Sequence, residues 1–160
     1  MLKKNENLDA MIRQQQLDTR SAQAWAKAGR TEEWVQRYLL AGTWENPELA
    51  YGLQLAQRWW NGPIELPLSA LNPAVGPEPE REWVTDPAEW YPRIAALAEN
   101  FTEPLALPPL IIEYRSGELS IRDGNTRYGA MQLLGWETCW VFIWYNSQAD
   151  YETHRKVLAK

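Results

Sequence analysis

The run from residue 110 to residue 145 constrains the fold most, because turn residues punctuate it at short and regular intervals. Leu110-Ile111-Ile112-Glu113-Tyr114 is rich in strand formers, and Ser116-Gly117 suits a two-residue hairpin turn. Glu118-Leu119-Ser120-Ile121-Arg122 alternates apolar and polar residues and completes the hairpin. Residues 126–134 have helical spacing, with Ala130, Met131 and Leu134 expected inward and Gly135 as the stop. Residues 138–145 read as a buried strand, and Ser147-Gln148-Ala149-Asp150 resembles a capping box opening a final helix. The order is therefore strand, turn, strand, tight turn, helix, strand, helix.

The chain upstream reads differently. Residues 1–60 look helical, with a weak stripe at Leu8, Met11, Ile12 and Gln15 and a stronger one at Trp34, Val35, Tyr38 and Leu39. Thr31 is a candidate N-cap for the second stripe and Gly42 its stop. Asn46-Pro47 suits a new helix start, since proline at the first helical position gives up an N–H that would be unpaired anyway. Leu49, Leu53, Ala56 and Trp60 would follow on one face, up to the breaker Asn61-Gly62-Pro63. Ile64, Leu66 and Leu68 then alternate as in a short strand. Pro73, Gly76, Pro77, Pro79 and Pro87 forbid a continuous helix over the next stretch, so it is a loop. Asp86-Pro87 restarts a helix whose inner face is Trp90, Ile94, Leu97, Ala98 and Phe101.

Composition narrows the function classes. A single cysteine, Cys139, rules out an intramolecular disulfide and a cysteine-rich metal site, and is compatible with a reducing cytoplasm. The N-terminal residues are too polar for a signal peptide, and no apolar run approaches the ~18 residues of a membrane span. A cytoplasmic protein with no membrane partner is expected. The net charge of −5 argues against long duplex DNA as a partner, since non-specific binding to it needs basic surface. Ten tryptophans either fill cores or build an aromatic partner surface, and their place among periodic apolar residues favours cores.

Chemistry concentrates in Ile121-Arg122-Asp123-Gly124-Asn125-Thr126-Arg127-Tyr128, between a strand and a helix. Gly124 permits close backbone approach or a positive φ, and Asp123 or Asn125 can cap the helix. The first N–H groups of a helix have no internal partner and carry partial positive charge. Arg127, about one turn in, adds a forked donor that matches phosphate oxygens. Together these are the parts of a phosphate site, although strand–Asp–Gly–helix junctions also serve purely as caps.

The stretch PLIIEYRSGELSIRDGNTRYGAMQLLGWETCWVFI resembles the core of the ParB/sulfiredoxin-like superfamily. The apolar strand, short turn, second strand, glycine motif ending in Arg127, helix, Leu-Gly and following strand come in the family's order. Upstream, IELPLSALNP resembles its opening strand and WYPRIAALAENF its helix, so the similarity spans roughly residues 63–145 and is strongest over 108–143. The resemblance implies an α+β fold, a mixed sheet with helices, over residues 63–160, preceded by a helical extension over residues 1–62. It also implies binding of the phosphates of ATP, ADP or CTP, with Mg²⁺, at Gly124, Asn125, Thr126 and Arg127.

Departures from the family narrow that reading. Sulfiredoxins carry a catalytic cysteine where Asn125 stands, and Cys139 in the next strand is expected to be a buried structural thiol. Partition-type members have more basic residues in the motif and continue into a helix-turn-helix domain, for which the sequence up to Lys160 leaves no room. Small-molecule kinases of this superfamily carry an Asp-Gly-x-x-Arg motif, which this chain matches. By that resemblance Asp123 would orient or deprotonate a hydroxyl, assisted by a glutamate of the loop after the first strand. Glu78, Glu80 and Glu82 lie there, and Glu80 is taken as the candidate.

The leading expectation is a nucleotide-phosphate-binding protein, with ATP/ADP-dependent phosphotransfer to a small molecule (or a nucleotidase activity) as its enzymatic form. The sequence leaves open whether it is an enzyme. The alternative is a non-catalytic adaptor, inhibitor or immunity-type protein whose acidic, Trp-rich surface engages a protein partner. The seven carboxylates against two arginines between Glu78 and Glu103 motivate it. A nuclease or DNA-partition accessory role has no metal-binding carboxylate cluster in the sequence to support it. His154, the sole histidine, lacks Cys or His partners for a metal. Ser69 and Ser120 have no triad around them. Tyr128, Trp136 and Trp140 could stack on a base but are read as core, and Arg122 as an outward strand residue.

Overall fold

The computed structural model describes residues 17–41 and 44–160; the stripe at Leu8, Met11, Ile12 and Gln15 and the stop at Gly42 lie outside the described residues. The helices are α1 (Thr19–Lys27), α2 (Thr31–Leu40), α3 (Pro47–Leu53), α4 (Pro87–Ala98), α5 (Asn125–Leu133) and α6 (Gln148–Leu158). The strands are β1 (Trp59–Pro67), β2 (Asn72–Pro73), β3 (Val75–Gly76), β4 (Trp83–Val84), β5 (Leu110–Arg115), β6 (Glu118–Asp123) and β7 (Thr138–Tyr145). This is an α+β fold built on a mixed five-stranded sheet of order β1-β7-β5-β6-β2. β1 runs antiparallel to β7, β7 parallel to β5, β5 antiparallel to β6, and β6 parallel to β2. β3 and β4 form a separate parallel pair, so the proline-rich loop is pinned at two places.

Local chemistry accounts for most of these elements. Ser116 and Gly117 both have positive φ, the mirror-image turn whose twist matches a tight hairpin. Asn46, Asp86 and Ser147 accept backbone N–H bonds at the starts of α3, α4 and α6, and Pro47 and Pro87 sit at the first helical turn. Gly135 has φ +74 just past α5, where a left-handed residue closes the helix end.

Helices cover both faces of the sheet. Leu110, Ile112, Ile121, Val141 and Ile143 face α5 and α6, packing against Tyr128, Met131 and the half-buried Tyr151. α4 forms a further layer on α5, where Trp90, Ile94 and Ala98 meet Ala130. A Cβ at Gly129 would stand 3.0 Å from the Trp90 ring, so the small residue sets that spacing. On the opposite face α1, α2 and α3 bring Trp25, Trp34, Val35, Tyr38, Leu39 and Leu53 onto Ile111, Phe142 and Trp144 in one continuous cluster. The N-terminal helices thus share their core with the sheet. Thr19 adds two hydrogen bonds to the Leu107 carbonyl, 2.8 Å from its N–H and 2.7 Å from its hydroxyl.

Several expectations need correction. The helix expected to run through Ala56 to Trp60 ends at Leu53, and Trp59 and Trp60 open β1, inside the range assigned to the helical extension. Aromatic residues suit a pleated, half-buried surface, and here they pair across the sheet with Tyr145 and Trp144. Gly62 has φ +112, and a Cβ there would meet the Val141 carbonyl at 2.5 Å, so the sequence that looked like a helix stop is an irregularity within a strand. Arg30, not Thr31, is the N-cap of α2, without a side-chain cap. Leu134 is 42% exposed and lies past the end of α5. None of the helices among the described residues is long and apolar enough to cross a membrane.

Candidate functional site

β6 departs from regular alternation where it meets the site. Ile112 pairs with Ile121, but the next residue along β5, Ile111, pairs with Asp123, so β6 carries one extra residue, Arg122. Such a bulge redirects the side chains that follow it. Leu119 and Ile121 point to the α5 face, whereas Asp123 reaches the α1–α3 face and accepts a 2.7 Å hydrogen bond from the Tyr38 hydroxyl.

Gly124 follows with φ +102. A Cβ at this position would lie 2.4 Å from Leu110 Cδ2 and 2.6 Å from Arg127 Nη2, so only glycine lets the arginine fold back under the turn. Arg127 is fully buried. Its Nη2 donates to Asp123 Oδ2 at 3.0 Å and its Nη1 to the Pro108 carbonyl at 3.1 Å, while its Nε has no acceptor among the described residues. The guanidinium lies 5.6 Å from the centre of the Tyr38 ring and 5.0 Å from that of Trp44. Burial pushes the Tyr38 phenol well above its usual range; Arg127 opposes that and Asp123 adds to it. Tyr38 is thus a neutral hydroxyl donor to a buried carboxylate.

The helix start is not capped by Asp123 or Asn125, as the sequence suggested. Its N-cap is Gly124, and no side chain bonds to it. Asn125 turns away: its Oδ1 accepts from the N–H groups of Ala74 and Val75 at 2.9 and 3.2 Å, and its Nδ2 donates to the Ile121 carbonyl. It is a clamp that fastens the proline-rich loop to the turn. Each of the other described helices has either a side-chain cap or an acid in its first turn; α5 has neither. Among the described residues no side chain accepts from its leading N–H groups, which lie beside half-buried Gly124 and Thr126 and carry partial positive charge.

Gly124, Asn125, Thr126 and Arg127 are therefore gathered with Asp123 at one turn, with Asp123 Oδ2 taken by two donors and Oδ1 by none of the described residues. Glu80 is exposed, and no hydrogen bond or ion pair joins it to that group. Its neighbours are committed elsewhere, Glu78 to Arg81 and Glu82 to Arg115 and Arg122. Arg122 also pairs with Glu113, so it belongs to a surface ion-pair network. Among the described residues no three His, Cys, Asp or Glu side chains are grouped to hold a metal ion.

Cys139 is buried, and burial raises its thiol to about 12, as befits an unreactive structural residue. The Tyr128 hydroxyl donates to the Leu68 carbonyl at 3.1 Å, and the half-buried Trp136 packs on Phe101, so both rings serve the core. Tyr38 and Trp44 are the site residues that sequence reasoning missed. Tyr38 sat in an apolar helical stripe and read as core, and its bond to Asp123 spans 85 residues. Trp44 fits no periodic pattern. No protein-family model and no curated protein matches the chain.

Proposed function

We propose that the chain is a nucleotide-binding protein of ParB/sulfiredoxin-like type, which seats a phosphate group at the start of α5. The observation that carries this reading is the uncapped, acid-free N-terminus of α5 behind a left-handed glycine. The neighbouring Arg127 Nε–H supports it, because a buried donor without an acceptor costs ~1–3 kcal/mol unless something satisfies it. Thr126 and the backbone N–H groups are the direct contacts. Arg127 works from behind, fixing the turn and adding positive charge. In the enzymatic form of this reading, Asp123 Oδ1 would accept a hydrogen bond from an attacking hydroxyl in phosphotransfer. The described residues offer no cage for Mg²⁺, which would enter on the nucleotide's own phosphates.

The test is a thermal-shift titration with ATP, ADP, CTP and GTP, with and without Mg²⁺, on the wild type and Thr126→Asp. The substituted aspartate puts the missing acid into the first turn, so the variant should melt no lower than the wild type yet lose the ligand response. A nucleotide at 100 times its Kd should stabilise the wild type by ~2.7 kcal/mol. No shift at millimolar nucleotide would sink the phosphate reading.

One observation favours the protein-interaction reading. β4 leaves Trp83 57% and Val84 58% exposed on the acidic segment. Trp83 is alone in this: the other nine tryptophans are buried or half-buried, so the aromatic partner surface shrinks to a single indole.

A further inference from the structure

Two rings, Tyr38 and Trp44, line the Asp123–Arg127 pair, and they are not equally used. Trp34 and Tyr38 are buried and stack on each other, with ring centres 5.2 Å apart and planes 13° from parallel. Trp44 lies against the other part of the guanidinium environment, 5.0 Å from its centre, but is only half-buried. An indole has two faces, and packing in the N-terminal layer does not consume all of this one. Gly124 and Thr126 are half-buried as well, and the guanidinium against which Trp44 lies also sits under Gly124, so the indole and the uncapped α5 N-terminus flank one side chain. A nucleotide presents an aromatic base and an anion separated by a ribose; this site presents an indole and anion-seeking N–H groups separated by a guanidinium.

We propose that Trp44 is the base-stacking residue of the site, so that its ligand is a nucleotide and not a phosphorylated metabolite without an aromatic ring. This rests on the nucleotide-phosphate reading of the α5 start and goes beyond it by naming the residue that selects a nucleotide over a bare polyphosphate. The N-terminal helical layer then contributes a specificity wall to a site whose anion-binding turn lies more than eighty residues away in sequence. Base stacking on an aromatic side chain is sequence-tolerant, so ATP and CTP should both benefit, each by about tenfold or more in affinity over a bare polyphosphate.

The experiment compares tripolyphosphate, ATP and CTP by isothermal titration calorimetry on the wild type, Trp44→Leu and Trp44→Phe. The wild type should bind the nucleotides about tenfold or more tightly than tripolyphosphate. Trp44→Leu should keep its tripolyphosphate affinity and lose the nucleotide advantage, and Trp44→Phe should retain part of it. If Trp44→Leu does not fold, the phenylalanine variant decides, because an undiminished advantage there rejects the stacking role. Tripolyphosphate binding without nucleotide preference in the wild type overturns this proposal and leaves the phosphate site standing. Loss of tripolyphosphate binding in Trp44→Leu also overturns it, since Trp44 would then act through Arg127. Absence of binding to all three probes removes the phosphate reading and this proposal together.

Discussion

The two faces of the five-stranded sheet are both covered by helices, yet they are stabilised differently. The face under α5 is largely aliphatic, built from Leu110, Ile112, Ile121, Val141 and Ile143, with tyrosines at its margins. The face under α1–α3 is dominated by large rings, among them Trp25, Trp34, Tyr38, Phe142 and Trp144, and it encloses a buried Asp123–Arg127 pair. Aliphatic packing tolerates small changes, because the cost of a lost methylene grows with the cavity it leaves. A buried charge pair is different. It contributes little over an apolar replacement, but loss of one partner strands the other. The α1–α3 face should therefore respond to polar substitutions far more sharply than the α5 face.

The largest expected effect is Arg127→Ala. Among the described residues Asp123 would keep only Tyr38 as a donor, and removing one partner of a buried pair costs ~3–5 kcal/mol, to be measured by urea denaturation. A loss below ~1 kcal/mol would mean that the pair is solvated and that the contrast between the faces fails. A matched pair of tyrosine substitutions sharpens it. Tyr38→Phe removes a bond to a charged acceptor and should cost ~1.5–3 kcal/mol, whereas Tyr128→Phe removes one to a neutral carbonyl and should cost ~1 kcal/mol. Equal losses would place both hydroxyls in equivalent environments.

The smallest expected effect belongs to the α5 face. His154 on α6 is buried against Tyr114 and Tyr145, and burial lowers its pKa from the usual ~6.5. Above that value both folded and unfolded chains hold it neutral, and its stability contribution is complete. As pH falls below ~6.5 the unfolded chain takes up the proton first, so stability declines until the lower folded pKa is reached. The slope from this one residue cannot exceed ~1.4 kcal/mol per pH unit. His154→Phe should flatten the dependence of stability on pH between 7 and 5; an unchanged slope would assign it to other groups.

How far the sequence revealed this molecule depended on the range of the interaction. The hairpin, β7 and the starts of α3, α4 and α6 were legible because residues a few positions apart determine them: Ser116-Gly117, Asn46-Pro47, Asp86-Pro87, Ser147. Trp59 and Trp60 misled because their surroundings are set by Tyr145 and Trp144, across the sheet and far along the chain. The same holds at the turn. Asp-Gly-Asn-Thr-Arg announced a strand-to-helix junction, but whether Asn125 capped the helix or clamped Ala74 and Val75 depended on where the proline-rich loop came to rest. The roles of Tyr38 and Trp44 had no local signal at all, since they follow from the docking of an entire layer.

The extra residue in β6 has a consequence for the chain's history. Which face of the sheet receives the acid is set by register and not by residue type alone: were Arg122 paired in regular alternation instead of bulged out, Asp123 would fall on the same side as Ile121, among aliphatic neighbours. A single-codon deletion of Arg122 would restore regular pairing with the acid still opposite Ile111, so the bulge lets Arg122 join Glu82 and Glu113 at the surface without moving the acid from Tyr38. Loss of that one residue would remove a surface ion pair and leave the buried acid on the same face.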